Sequence, residues 1–182
     1  MPLAEGDEID REQYLDRLSI LQSKPAYEVA LTLLTSRDMT AHNLCAALVR
    51  RGYVPQVAQS TCQRLIENGL IDDKRYANRY VELRQDKPIG RYAMKQKLRA
   101  KGIDEQIASD ALESIDDDSQ LDAAKELAAK LARRYEKEEP YKRKTKLSQA
   151  VARRGFSWDI VREAVEYALS DSGDGFEDDF YE

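Results

Sequence analysis

Apolar residues recur at helical spacing through almost the whole chain, and no segment keeps up the apolar–polar alternation of a strand. Tyr27, Ala30, Leu31 and Leu34 form a first stripe, broken at Ser36–Thr40. Thr40 is placed to cap a second helix containing Leu44, Cys45, Leu48 and Val49. Gly52 stops that helix as a glycine does just past a C-terminus. A third helix starts near Pro55, carries Val57, Ala58, Leu65 and Ile66, and ends at Asn68-Gly69. The order then recurs. Asp72 caps a helix with Tyr76, Ala77, Tyr80, Val81 and Leu83, which Pro88 and Gly90 break. Met94 and Leu98 lead to Gly102, and Asp104 caps a helix with Ile107, Ala108, Ala111, Leu112 and Ile115. A third pass begins near Ser119 with Leu121, Ala124, Leu127, Ala128 and Leu131. It breaks at Glu139-Pro140 and resumes through Leu147 and Val151 to Gly155. Ser157 then caps a last helix with Ile160, Val161, Ala164, Val165 and Leu169.

The stops superimpose: LVRRGY at 48–53, LRAKGI at 98–103 and VARRGF at 151–156, with glycines 50 and then 53 residues apart. A basic residue precedes each glycine (Arg51, Lys101, Arg154) and a large apolar one follows it (Tyr53, Ile103, Phe156). Val57, Ile107 and Ile160 stand five positions after the glycines; Cys62, Leu112 and Val165 stand ten after. A period near 50 predicts one three-helix unit used three times, with neighbours stacked over a continuous core. The expected organisation is a lead-in over 1–24, repeats over 25–71, 72–117 and 118–170, and an acidic tail over 171–182.

Charge changes this picture more than composition does. The net charge of the 182 residues is -5. Residues 171–182 hold six acids and no base, and residues 1–16 hold six acids and one base, which leaves residues 17–170 at +6. Acidic terminal blocks of this kind are expected as solvated tails. Residues 74–101 carry ten bases against two acids and residues 130–154 ten against three, while residues 102–126 carry one base against nine acids. The run Asp116-Asp117-Asp118 reads as a solvated linker between repeats. Apolar runs are far too short for a membrane span, and the acidic start is unlike an export signal. Cys45 and Cys62 are therefore expected as reduced thiols of a cytoplasmic protein, at helical core positions.

No catalytic pattern stands out. The single histidine, His42, falls in a first helical turn as a surface residue, and nucleophile, phosphate-loop and metal-ligand spacings are absent. The expectation is a non-enzyme with no cofactor and no metal. The basic residues are more informative. Arg91, Lys95 and Arg99 recur at i, i+4, i+8 beside Met94 and Leu98, and Arg75 and Arg79 form a second stripe. Arg84 falls on the side of Tyr76 and Tyr80, where it must reach a carboxylate, a carbonyl or a partner. The third repeat adds Arg133, Arg134, Lys142, Arg143, Lys144, Lys146, Arg153 and Arg154. Such cations suit phosphate oxygens or an acidic protein surface.

GLIDDKRYANRYVELR at 69–84 resembles the most distinctive motif of the RecX recombination-regulator family. ALTLLTSRDMTAHNLCAALVRRGY at 30–53 is similar to its first repeat, and Gly90–Gly102 to its second. The chain departs from the family at Lys87-Pro88-Ile89-Gly90, where many members have Lys-Gly-x-Gly-Pro, and at Lys97, where an acid is common. The resemblance implies an all-α, elongated, curved array of three tandem three-helix repeats. It implies a monomer that engages the RecA recombinase filament and dampens ATP hydrolysis, strand exchange and co-protease function, with weak contacts to single- and double-stranded DNA. Joined to the charge pattern, it points to Arg75, Arg79, Arg91, Lys95, Arg99 and Lys101 in the middle repeat and Arg133, Arg134, Lys144, Arg153 and Arg154 in the third as contact residues. Tyr76, Tyr80 and Leu83 are expected to hold the repeat together. Arg91→Glu with Lys95→Glu is expected to weaken inhibition with helix content intact. The acidic tail is expected to compete with DNA for the basic face. A helix-turn-helix DNA-binding protein acting without RecA and a protein-only helical-repeat adaptor are the competing readings.

Overall fold

A computed structural model of the chain describes residues 10–84 and 87–170. Among these residues there are nine α-helices and no strand: α1 Arg11–Ser36, α2 Ala41–Val49, α3 Pro55–Glu67, α4 Asp73–Glu82, α5 Arg91–Arg99, α6 Glu105–Glu113, α7 Asp117–Ala132, α8 Pro140–Ala152 and α9 Trp158–Ser170. A short 3₁₀ turn, Arg133–Tyr135, extends α7. The protein is all-α and consists of three successive three-helix sets. None of the described helices is long and apolar enough to cross a membrane.

The punctuation expected from sequence is present. Thr40 accepts the Asn43 N–H, Pro55 opens α3, and Asp72 and Asp104 accept the Arg75 and Gln106 N–H groups at the starts of α4 and α6. Gly52, Gly69, Gly102 and Gly155 all have positive φ. The equivalent positions four before the 50-residue glycines, Leu48, Leu98 and Val151, are fully buried, as are Ala58, Ala108 and Val161 six after them.

Four expectations need correction. Helix α1 begins at Arg11, with Asp10 as its cap, so residues 11–16 are helical rather than part of a solvated block. The acidic run at 116–118 is a helix start and not a linker. Asp116 caps α7 through the Ser119 N–H and hydroxyl, which hold its carboxyl below the usual carboxylate range. Leu83 lies beyond the end of α4, so helical phase does not carry it into the core, and it is 61% exposed. Val49 and Ile66, at the last positions of their apolar stripes, are also exposed.

The described residues form two compact units. The first runs to Tyr76 and takes in Lys101–Ile103; the second holds Ala77–Ala100 and the chain from Asp104 onward. In the first, α1, α2 and α3 close over Ala30, Leu44, Leu48, Ala58 and Leu65. In the second, α7, α8 and α9 close over Leu127, Leu147, Val151, Val161 and Val165.

Each unit contains one joint between successive repeats, built to a common plan. The start of a repeat's second helix receives the glycine turn of the next repeat. In the first unit the buried Thr40 hydroxyl donates to the Lys101 carbonyl (2.7 Å), and the Ala41 N–H donates to Asp73 (3.0 Å). In the second, the Gly90 and Tyr92 N–H groups donate to the Arg154 and Gly155 carbonyls (2.8 and 3.1 Å), and the Arg91 N–H donates to Gln120 (3.0 Å). Ala41 and Arg91 are both first residues of their helices, so in each case the next repeat supplies the acceptor that an orphan N-terminal amide needs. Helix α8 opens instead on Pro140, which has no N–H. At the opposite end, Gln22 of α1 serves the Gly52 turn: its carbonyl accepts the Val54 N–H (2.8 Å) and its amide donates to the Gly52 carbonyl.

Thr40→Val keeps the shape of the side chain and removes both hydroxyl bonds, leaving the Asn43 N–H and Lys101 carbonyl unpaired. We expect a loss of about 2 kcal/mol, read as a lower urea midpoint by circular dichroism.

Candidate functional site

The eleven cations singled out by sequence divide into those engaged inside the fold and those facing solvent. Arg91 is engaged. Its guanidinium donates to Asp117 and to the Ile115 carbonyl, and its Nε is buried without a hydrogen-bond partner. Lys95 and Arg99 both reach Glu105 at the start of α6, at 3.3 and 3.6 Å. The i, i+4, i+8 stripe of α5 therefore exists, but acids from α6 and α7 partly neutralise it. Lys101 lies 5.7 Å from the Tyr76 ring.

Arg75, Arg133, Arg134, Arg153 and Arg154 are exposed, and their side chains make no ion pair among the described residues. Arg79 is exposed and Lys144 half-buried. Arg133 and Arg134 sit on the 3₁₀ turn after α7; Arg153 and Arg154 sit on the α8–α9 turn. Of the eleven, these last four are the second unit's cations that face solvent without an ion pair among the described residues.

The tyrosine-rich motif around α4 has mostly structural roles. Gly69 supplies the left-handed turn, Ile71 is buried, Asp72 caps α4 and Asp73 caps α2. Burial raises the Asp73 carboxyl above its ordinary range, against the pull of the Ala41 N–H. Tyr80 is buried, and Arg84 stacks on its ring at 3.8 Å and donates to its carbonyl, as the sequence argument required. Cys62 is buried beside Cys45, and this burial pushes its thiol up to about 12, the behaviour of a packing residue rather than a nucleophile.

Sequence reasoning missed three features. Arg143, read as another surface cation, is only 6% exposed. Gln120 is fully buried, and its carboxamide is oriented by the Arg91 N–H. A largely apolar groove of about 850 Å³ lies where the α8–α9 turn meets the start of α5, flanked by Tyr92, Arg153, Phe156 and Trp158. Its rim rings are open: Tyr92 is 66% and Trp158 68% exposed. The sequence carried no signal for this exposure, since Trp158 shares helical phase with Val161 and Val165 at i, i+3, i+7; it is its place in the first turn of α9 that leaves it open.

Comparison with known proteins covers the same three sets of helices. Residues 26–65, 72–112 and 117–165 match the first, second and third three-helix domains of RecX. The chain is 32% identical over 154 residues to the regulatory protein RecX of Mycobacterium sp. (strain KMS), covering 82% of this chain and 84% of that one. It is 32% identical over 155 residues to that of Halorhodospira halophila, covering 84% and 94%. The crystal structure of RecX from Lactobacillus salivarius superposes with a TM-score of 0.73 at 30% identity, over 81% of this chain and 96% of that one. A second, a crystal structure of regulatory protein RecX, gives 0.76 at 29% identity, over 89% and 80%.

Proposed function

We propose, from the premise that this chain belongs to the RecX family of regulatory proteins, that it binds the RecA recombinase filament and lowers its ATPase, strand-exchange and co-protease activities. It thereby tunes recombinational DNA repair without chemistry of its own. The observation that carries this reading is the set of solvent-facing arginines of the third repeat, Arg133, Arg134, Arg153 and Arg154, which have no acidic partner among the described residues, in a chain whose net charge is -5. An unpaired guanidinium on a helical turn suits phosphate oxygens or a carboxylate-bearing protein wall. A filament of recombinase on DNA presents both. Arg75, Arg79 and Lys144 are proposed to add to the contact, with Lys101, and with Lys95 and Arg99 contributing the charge that their shared Glu105 leaves over. Single- and double-stranded DNA are proposed as weak ligands, and the protein acts as a monomer in the cytoplasm.

The test is ATP hydrolysis by RecA on single-stranded DNA, titrated with this protein at two salt concentrations. Inhibition is expected well below one molecule per recombinase, and weaker at high salt. Arg153→Glu with Arg154→Glu is expected to raise the half-inhibitory concentration roughly tenfold with an unchanged urea midpoint. Absence of inhibition alongside retained DNA binding would replace this reading with that of a DNA-binding protein acting without RecA.

A further inference from the structure

The groove where the α8–α9 turn meets the start of α5 lies within the second unit. Two open rings rim it, Tyr92 and Trp158. Trp158 stands three residues after Gly155, where the first two repeats have Pro55 and Glu105, so the repeat itself does not call for a ring there. Open aromatic surface on a largely apolar wall favours a ligand that covers it.

Charge marks one side of the groove. The Arg91 guanidinium is held by Asp117. Arg153 on the rim and Arg154 beside it are exposed and have no ion pair among the described residues. Across the start of α9 a second hollow is lined by Asp118, Asp159, Glu163 and Glu166 and repels an anion. A polyanion is thereby confined to the Arg153 side. The groove is built from helices and turns, so an extended peptide finds no strand edge to pair with. Open rings beside unpaired guanidinium groups suit a single nucleic-acid strand instead. Every base has a face that stacks on an aromatic ring, and each phosphate takes a cation. In a duplex those faces are already stacked on one another.

We infer that this groove is a stacking site for the unpaired bases of a single nucleic-acid strand, with Tyr92 and Trp158 as the platforms and Arg153 and Arg154 on the flanking phosphates. Its wall is largely apolar and reads no base edge, so it tolerates any sequence and selects single strand over duplex. Single-stranded DNA as the ligand is taken from the proposed function, on which this site rests and which it deepens.

Trp158 is the only tryptophan of the chain, so its emission reports the site. The full-length protein is titrated with a short oligothymidylate, with an abasic sugar–phosphate oligomer of equal length, and with the oligothymidylate annealed to its complement. The single strand is expected to quench the emission and the duplex to leave it unchanged; the abasic oligomer is expected to bind roughly tenfold more weakly. Tyr92→Leu is expected to weaken single-strand binding roughly tenfold at an unchanged urea midpoint. Arg153→Gln with Arg154→Gln is expected to keep the quenching and to flatten the slope of log affinity against log salt by about 1.4. Equal affinity for the abasic oligomer, equal quenching by the duplex, or a Tyr92→Leu variant that binds as the parent does overturns the inference, since phosphate contact alone would then explain binding. Quenching by an acidic aromatic peptide but not by the strand overturns it in favour of a protein partner. Base-dependent binding by a protein that leaves ATP hydrolysis by RecA unchanged upholds the site and counts against the proposed function. Inhibition of that hydrolysis without base-dependent binding overturns the site and leaves the proposed function standing.

Discussion

Gly155→Ala is expected to lower the stability of the second unit by about 4 kcal/mol or more, placing it among the few most damaging single substitutions. Two effects combine. The residue has φ +85°, where an L side chain costs about 1–2 kcal/mol. A Cβ there would also stand 2.4 Å from the backbone nitrogen of Ala93 in α5, and neither backbone can yield without parting the Arg154–Gly90 and Gly155–Tyr92 hydrogen bonds. Gly52→Ala is the internal control. Its φ is +91°, but nothing lies within 4 Å of the added carbon, so it should cost only the conformational term of about 1–2 kcal/mol. Urea unfolding followed by Trp158 emission reports the second unit, and circular dichroism reports the whole chain. Equal shifts for the two variants would falsify the view that the glycine turn is a joint between repeats rather than a turn alone.

Arg91→Glu is expected to cost about 3 kcal/mol, since it sets a carboxylate against Asp117 and the Ile115 carbonyl and deprives both of their donor. Arg153→Glu, at an exposed side chain with no ion pair among the described residues, should stay within about 0.5 kcal/mol. The Arg91→Glu, Lys95→Glu double reversal suggested by the charge stripe will therefore weaken inhibition through the repeat 2–3 joint, visible as a lower urea midpoint at unchanged assay temperature. The Arg153→Glu, Arg154→Glu pair separates binding from folding. An unshifted midpoint for Arg91→Glu would return that side chain to the surface set.

What was legible in the sequence was local. Caps at Thr40, Asp72 and Asp104 and the glycine stops at 52, 102 and 155 depend on residues within a few positions of one another. Repetition of the same local code three times made the architecture readable before any fold was known. What could not be read was the partner supplied from far along the chain. Gln120 looks like any polar helix residue until the Arg91 N–H, 29 positions earlier, makes it a cap. Glu105 and Asp117 neutralise a stripe whose own spacing shows only cations. Leu83 failed because helical phase was carried past the end of α4, and Arg143 because a basic run hides which member turns inward.

Pro140 has a consequence for how such a chain evolves. A joint that uses the first amide of a helix gives the array a direction, from each repeat to the next. At the matching place in the third set the ring nitrogen of Pro140 carries no hydrogen, so a unit docked on the start of α8 would lack this one donor and rest on the other bonds of the joint. Replacing the proline by a residue with an N–H would restore to the third set the donor that Ala41 and Arg91 supply in the first two.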